Sequence, residues 1–580
     1  MKTILYTWFA VLLFGMAAVS CGDDDTKNND TTGITGSSWK ASETVGADRT
    51  TKKYTFKASA NWVAQSDKPE WCKILTSSGD KGSDRQLNIS VEANETGSTR
   101  SANITVQVSG YARAAQFAIT QLGSSSGGTG ADTELNKQVD KILEYYYLWN
   151  GEYQQMSRDL SLDYISSSDN FLKRTLLEMT TNDLDKKRQS NGSYSVYSYL
   201  MRTPLTKAVA GTTRGVSHGV VKEKEYGFGI AGLMGVRFVD GNNQPTGEYG
   251  LVVTSVYPDS PASEAGFRRG TFFAQYNGAA ITAANLNSVY GTLIAPGGAS
   301  TVKLTENKQG AQPVSLTARE IYPNPVIHSE VITSGAHRIG YLVYDSFDAA
   351  YDDELLAAVK KLKDGNITDM VLDLRNNGGG HVISSNMLST CIAGAACQGK
   401  VYEYYRYNDS RMADPAKTQK QTGNTYDREK ALFYENFSYG DYYGADLKQY
   451  ALGLQNIYVL TTGSTASSSE AVINGLRGID VGVTLIGEKT NGKNVGMEID
   501  KFDDGDYSYE LAPITFEGYN AKKETVNPAG LAVDYAVADW NNRLVDFGPE
   551  EPMLAKALSL ITGRTYTPAP ARSAAGIAPI

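Results

Sequence analysis

Asp369-Met370-Val371-Leu372-Asp373-Leu374-Arg375-Asn376-Asn377-Gly378-Gly379-Gly380 is the stretch that decides the fold of the larger part of this chain. The apolar run Met370–Leu374 suits a strand covered on both faces, and three glycines at its end let the backbone approach another molecule closely. Backbone N–H groups placed there could form half of an oxyanion hole. As an isolated Gly-rich turn, the same sequence would be purely structural.

Downstream, Ile457-Tyr458-Val459-Leu460 reads as a second strand that leads through Thr461-Thr462-Gly463 into Ser464-Thr465-Ala466-Ser467-Ser468-Ser469-Glu470. Helical spacing then begins at Ala471, Val472 and Leu476. A serine at such a strand-to-helix turn gains from the positive end of the helix dipole, and the N–H that follows it can complete an oxyanion hole. Serines also cap helices with no chemistry involved, so the turn alone leaves both readings open. A third strand, Val483–Ile486, runs into Gly487-Glu488-Lys489-Thr490-Asn491-Gly492-Lys493. A lysine serves as general base only if its pKa falls from about 10.4 toward neutrality, roughly three units or ~4 kcal/mol. The glycine and apolar neighbours of Lys493 allow the burial this requires. Strands alternating with helices over residues 324–563 predict an α/β domain.

Composition limits what surrounds this domain. At 580 residues and 41% hydrophobic, the chain is long enough for several cores at roughly 100–200 residues per domain. Lys+Arg 55 against Asp+Glu 64 gives a net charge of −9, and without a basic run the electrostatic footprint of a nucleic-acid partner is missing. Four cysteines exclude a disulfide scaffold, and the four histidines, at 218, 328, 337 and 381, show no paired ligand spacing, so no metal site is expected. Cys391 and Cys397 could pair in an oxidising compartment, whereas Cys72 reads as a buried thiol.

Working toward the N-terminus, residues 216–323 form a separate module with strand patterns at Gly250–Val256 and Phe272–Tyr276. Tyr226-Gly227-Phe228-Gly229-Ile230 and Ser260-Pro261-Ala262-Ser263-Glu264-Ala265-Gly266-Phe267 resemble the carboxylate-binding loop and the SPAxxAG helix of a PDZ domain. That resemblance implies substrate binding at Gly227, Phe228, Gly229 and Ile230, with a peptide C-terminus held by backbone N–H groups and its strand paired to a sheet edge. The family's aspartate after Gly270 is Thr271 here. Residues 133–215 have helical spacing at Leu135, Val139, Ile142, Tyr146 and Trp149, with a second helix over 170–179, and read as a helical cap without chemistry of its own.

Residues 37–122 alternate at Tyr54/Phe56, Leu87/Ile89/Val91, Ile104/Val106/Val108 and Phe117/Ile119, which predicts a small β-sandwich. Trp62, Trp71-Cys72, Arg100-Ser101-Ala102 and Ile119-Thr120-Gln121 resemble a BACON domain, a family associated with carbohydrate binding or with spacing. A glycan contact through this module is therefore one expectation. A core role for its tryptophans, and hence a spacer, is the stronger one. A Ser/Gly linker over 123–132 follows, and the Pro/Ala-rich end over 564–580 is expected to be disordered.

Lys2 followed by an apolar run that ends at Ala18-Val19-Ser20 reads as a secretory signal over 1–20. Ala18-Val19-Ser20-Cys21 resembles a bacterial lipobox. That implies lipidation of Cys21, a tether over 21–36, and a cell-envelope location anchored to the outer membrane, periplasmic or surface-exposed.

Taken together, the three motifs from the glycine run to Lys493 resemble the catalytic domain of the C-terminal processing proteases, the S41 family of serine peptidases. The resemblance implies a ClpP/crotonase-like α/β core within a multidomain α+β chain that also holds the β-sandwich, the helical segment and the PDZ-like module. It implies a serine endopeptidase acting on protein or peptide substrates through a Ser-Lys dyad, with no cofactor. The family's S-x-S-E element selects Ser467 as nucleophile, with Glu470 beside it and Lys493 as base; Ser464 and Ser469 are the rival serines. The N–H groups of Ser468 and of Gly379 or Gly380 would hold the oxyanion. Met497 stands where many relatives carry a glutamine that orients the lysine, which leaves that task to another group, Glu470 among the candidates. A non-catalytic surface lipoprotein that binds peptide or glycan is the alternative.

Overall fold

The computed structural model describes residues 32–40, 42–46, 50–94, 99–121, 133–162, 171–188, 193–204, 216–217, 220–240, 244–296, 298, 300–413, 430–434, 447–504, 507–540, 544–568 and 577–579. The signal segment, Cys21, residues 22–31 of the tether and the Ser/Gly linker lie outside these residues; the end of the segment expected as tether instead enters the first unit as the strand Ile34–Thr35. The chain divides into two compact units, Met1–Asp132 and Thr133–Ile580.

In the first unit, alternation along Thr50–Ala58 and Arg100–Val108 buries every second side chain and so generates two sheets with one inner face each. One sheet runs in the order Ile34–Thr35, Thr50–Ala58, Gly82–Val91, Cys72–Ile74. The other runs Ser42–Val45, Ala115–Gln121, Arg100–Val108, Trp62–Ser66, Ser78–Gly79. Trp62 and Trp71 are buried with Phe56, Leu87, Ile89, Val106 and Phe117 between the sheets. Arg100 lies 4.3 Å over the Trp71 ring, and Trp39 stacks on Phe117 at 5.0 Å. Cys72 is buried here as a free thiol.

The second unit opens with the helices Thr133–Tyr146, Asn150–Gln155 and Phe171–Glu178. Their buried stripe follows Leu135, Val139, Leu143 and Tyr147. Ile142, Tyr146 and Trp149, on the expected face, are instead only half-buried, because steps of four residues keep a straighter ridge than steps of three. These helices pack on Val495, Tyr509, Leu511 and Ile514, so the helical segment is built into the α/β part.

Next comes a sheet ordered Val314–Thr317, Thr301–Glu306, Phe272–Tyr276, Pro245–Val256, Ile230–Val239 and Ile577–Pro579, covered by the helix Leu286–Ile294 through Val289 and Leu293. The Ser-Pro-Ala segment makes only one helical turn, Pro261–Glu264, closed by a reciprocal Ser260–Ser263 capping box. The end of the chain departs from expectation. Ile577, Ala578 and Pro579 pair antiparallel with Phe238, Arg237 and Val236 on the outer edge of this sheet, and Tyr566 donates to Ser334 at 2.7 Å. An edge strand offers an unpaired row of N–H and C=O groups that any extended segment can fill, so pairing here needs no periodicity in the partner.

The α/β part has a sheet ordered Val326–Ser334, His337–Tyr344, Asp369–Asp373, Asn456–Thr461, Gly482–Gly487, Tyr535–Ala536. The first pair is antiparallel and the rest are parallel. Helices Asp352–Asp364, Val382–Ala393 and Ser468–Gly478 cover one face through Leu355, Leu388 and Ile473. Pro552–Thr562 covers the other through Leu554 and Leu558. Both faces are thus buried, which is why Met370–Leu374 reads as a continuous apolar run.

Arg375, fully buried at the end of its strand, donates to Asp373 at 2.7 Å, to Glu551 at 2.7 and 2.9 Å and to Asp539 at 2.6 Å. Glu551 also caps the last helix by accepting from Leu554 N–H at 2.8 Å. Cys391 and Cys397 are free and buried, and the Cys397 thiol donates to the Gly394 carbonyl instead of pairing. Among the described residues, no helix is long and apolar enough to cross a membrane.

Candidate active site

Two loops at the C-terminal ends of adjacent parallel strands are stapled together. After Asp369–Asp373, Asn377 donates to the Tyr344 carbonyl at 2.9 Å, and its side-chain oxygen accepts from Gly379 N–H at 2.9 Å. After Asn456–Thr461, Thr465 donates to the Leu374 carbonyl at 2.8 Å, Ser469 to the Asn377 carbonyl at 3.0 Å, and Ser468 to the Gly380 carbonyl at 2.7 Å. The two turns therefore hold a fixed spacing.

Gly379 has φ +107, and a Cβ on it would stand 2.7 Å from the Ser467 Cβ and 3.1 Å from the Ser468 nitrogen, so only glycine fits. Gly380 lies beside Phe347 in a parallel bridge: Phe347 N–H donates to the Gly379 carbonyl at 2.9 Å and His381 N–H to the Phe347 carbonyl at 2.7 Å. That pattern leaves the Gly380 N–H unused. The Ser468 N–H, in the first turn of its helix, is likewise without a partner among the described residues.

Ser467 sits at the N-cap with φ 56 and ψ −119, a conformation rare for a residue with a side chain. Such strain gathers at functional turns, where surrounding bonds hold it in place. Ser464 is exposed on the preceding loop, and Ser469 is buried with its hydroxyl engaged, so of the three serines Ser467 faces the cleft that Lys493 also lines.

Glu470 links the two loops of the site. Its Oε1 accepts from the Thr490 hydroxyl at 2.6 Å and Gly492 N–H at 2.8 Å, and its Oε2 from Ser467 N–H at 3.1 Å and Lys493 N–H at 2.9 Å. Burial nonetheless holds its pKa above the ordinary carboxylate value, against those four hydrogen bonds. Burial also lowers the pKa of Lys493, with Lys187 adding to the effect and Asp185 and Glu470 opposing it. The Lys493 Nζ lies 4.9 Å from the centre of the Tyr197 ring. The Tyr197 hydroxyl donates to Asn491 at 2.9 Å, and its N–H donates to the buried Asp185 at 2.9 Å.

The helical segment therefore contributes to the site, contrary to expectation. Nothing local marks Tyr197 among 36 tyrosines; its role depends on the packing of that segment against the strands after Lys493. Met497 is half-buried against the same helical cluster.

The cleft that joins Ser467, Ser468 and Lys493 is about 30 Å3, walled by Val382, Val495 and Phe516. Gly227, Phe228, Gly229 and Ile230 lie elsewhere, at the start of the edge strand Ile230–Val239. Phe228 is buried, the Phe228 and Gly229 carbonyls accept from Ala262 and Tyr257 N–H, and a Cβ on Gly229 would collide with Ser260 at 2.0 Å. A second cavity of about 460 Å3, lined by Gly232, Tyr290, Asp345, Asn376 and Ser464, lies between that module and the loop ahead of Ser467. Among the described residues, no cluster of three His, Cys, Asp or Glu side chains could hold a metal.

Comparison with known proteins places this geometry. Residues 338–537 match Peptidase family S41, and residues 59–122 match BACON, a family of N-terminal binding domains. The chain is 27% identical over 135 residues to a chloroplastic carboxyl-terminal-processing peptidase 2 of Arabidopsis thaliana, covering 23% of this chain and 26% of that one. It is 24% identical over 256 residues to a carboxy-terminal processing protease of Bacillus subtilis, covering 44% of this chain and 47% of that one. It thus spans between a quarter and a half of these relatives' lengths. A crystal structure from Bacteroides fragilis, described as an S41 protease, is 24% identical with a TM-score of 0.52 and covers 73% of this chain and 97% of its own. The chain therefore joins an N-terminal β-rich region, in which residues 59–122 match BACON, to a C-terminal part with the S41 protease fold, in which residues 338–537 match Peptidase family S41.

Proposed function

We propose that this chain is a serine endopeptidase of the C-terminal processing type, with Ser467 as nucleophile and Lys493 as general base. The observation that carries this reading is the double tether of Glu470. One carboxylate holds the backbone N–H of both Ser467 and Lys493, and so sets the two loops at a cleft that both residues line. In the reaction, the Ser467 hydroxyl adds to a peptide carbonyl as its proton passes to the neutral Lys493 amine. The carbonyl oxygen becomes an oxyanion that accepts from the Ser468 and Gly380 N–H groups; the Gly379 N–H already donates to Asn377. Collapse of the tetrahedral intermediate breaks the C–N bond, and Lys493 returns the proton to the leaving amine. Water, deprotonated by the same lysine, then releases the acyl group.

The lowered Lys493 pKa supports the role of base, and Glu470 takes the orienting task that the absent glutamine would perform. Gly227 to Ile230 would hold or gate the C-terminal end of a substrate. Lipidation of Cys21 would place the enzyme in the cell envelope. The buried Trp62 and Trp71 favour the BACON-type unit as a spacer, since neither ring is free to stack on a sugar.

The test is cleavage of an unfolded protein substrate by the full chain. Ser467→Ala and Lys493→Ala are each expected to abolish it while thermal unfolding stays cooperative, and a fluorophosphonate probe is expected to label Ser467. An unchanged rate in either variant removes the dyad.

A further inference from the structure

The cleft that Ser467 lines also holds two polar atoms that no described residue satisfies. Glu403 lies in the strand Val401–Tyr407, paired on one side with Ile514–Tyr519 and on the other with Lys430–Leu432, and its side chain lines the cleft. Gly518 makes room for it: a Cβ there would stand 2.0 Å from the Glu403 Oε1. The Glu403 Oε2 is buried without a hydrogen-bond partner. Asn494, next to Lys493, lines the same cleft, and its Oδ1 is also buried and unpartnered. Its amide nitrogen donates to Glu517 at 2.8 Å and to Thr525 at 3.2 Å, which fixes which end of the amide carries the oxygen. Asn474 also lines the cleft, but its amide is engaged, donating to the Glu524 carbonyl and accepting from Asn520; Val382, Ala471, Val495, Phe516 and Val526 supply the apolar lining.

A buried polar atom left without a partner is destabilising, and a bound group that satisfies it recovers that loss. We propose that Glu403 and Asn494 select the side chain of the residue whose carbonyl is attacked. They favour a small side chain bearing a hydrogen-bond donor, serine, threonine or asparagine, over alanine or valine. This inference rests on the Ser467 cleft being the active site. The narrow accessible space of the cleft, about 30 Å3, favours a small side chain. Position sets the subsite: the helix after Ser467, whose first turn presents the Ser468 N–H to the oxyanion, also forms the cleft wall through Ala471 and Asn474.

Burial pushes the Glu403 carboxyl up to about 8, so at neutral pH it is mostly protonated and can both donate and accept. A substrate hydroxyl can then accept from Glu403 and donate to the Asn494 Oδ1, whereas a methyl group leaves both unsatisfied. Sites of this kind discriminate strongly against analogues that lack the polar group.

The experiment measures kcat/KM of the full chain on peptides that differ only at that residue: alanine, valine, serine, threonine or asparagine. The wild type is expected to prefer the donor-bearing peptides to alanine by about ten-fold or more. In Glu403→Leu the serine-to-alanine ratio is expected to fall to about one, and in Glu403→Gln, which keeps a donor and an acceptor, to stay well above one. Gly518→Ala, whose methyl displaces the carboxyl from a second direction, is expected to lower the same ratio. Cleavage that depends on Ser467 but shows no such preference, or a ratio unchanged in both Glu403→Leu and Gly518→Ala, overturns this inference and leaves the peptidase standing. Failure to cleave any peptide, together with no probe labelling of Ser467, overturns both.

Discussion

Glu470 shows how much one buried carboxylate can organise. Its two oxygens accept four donors, two on each. A glutamine in its place offers one oxygen and one NH2, so either orientation sets a donor against two donors. Glu470→Gln is expected to lower kcat by about 10–100-fold with little change in KM, and to lower the melting temperature, since stranding buried donors costs about 1–3 kcal/mol. Steady-state kinetics beside a thermal melt would separate the two effects.

The buried Lys493 gives a second expectation. Only its neutral form can take the Ser467 proton, and burial shifts its pKa below the ordinary 10.5. The rate should therefore climb with pH through that lowered pKa and then level, with the midpoint below that of a free lysine in a pH–kcat/KM profile. The sign for stability is the same: between the folded and unfolded pKa values the unfolded chain binds the extra proton, so stability from this group rises with pH. That Ser467 and Lys493 line one cleft agrees with the S-x-S-E and Gly-Lys elements through which the resemblance pointed to them. Tyr197, whose ring lies against the Lys493 amine, and Glu403, which lines the cleft, were not singled out, because they come from elements whose local patterns reveal only packing.

At the scale of elements, the parallel strands and the glycine turn were the most readable parts. Apolar runs bounded by turn residues leave few alternatives, and Gly379 fits where any Cβ would strike the Ser467 Cβ. Short segments were less readable. The Ser-Pro-Ala motif yields a single turn, and the last described residues pair as a strand where composition pointed to disorder. Edge pairing depends on backbone groups that every residue carries, so composition does not reveal it. Deleting residues 569–580 is expected to leave the fold intact while amide exchange at Val236, Arg237 and Phe238 accelerates, as hydrogen-exchange mass spectrometry would detect. Unchanged protection there would mean that the strand is not formed in solution.

At the scale of the molecule, the buried Arg375 joins what lies far apart in sequence. It binds the strand that precedes the glycine turn to Asp539 and to Glu551 at the head of the last helix. Removing one partner of a buried ionic cluster strands the others, at a cost of about 3–5 kcal/mol. Arg375→Met is therefore expected to lower the unfolding free energy by that amount in a denaturant titration, and activity with it, because the same turn carries Gly380. Despite burial, which acts the other way, Arg269 and Arg375 hold the Asp539 carboxyl down at about 2. Its share of stability is present in full above the ordinary carboxylate pKa and is lost progressively as pH falls from there through about 2.

The passage from a β-rich N-terminal region to an α/β part was legible from changes in periodicity, whereas the union of the helical segment with the α/β part was not, because that interface is made of side chains from both. The strand Ile577–Pro579 also bears on biogenesis. It completes a sheet whose other strands leave the ribosome long before it does, and at about 5–20 residues per second the gap is roughly 20–70 s. Throughout that interval the nascent chain presents an open β-edge, a natural docking point for a holdase and a hazard for mispairing if none is at hand.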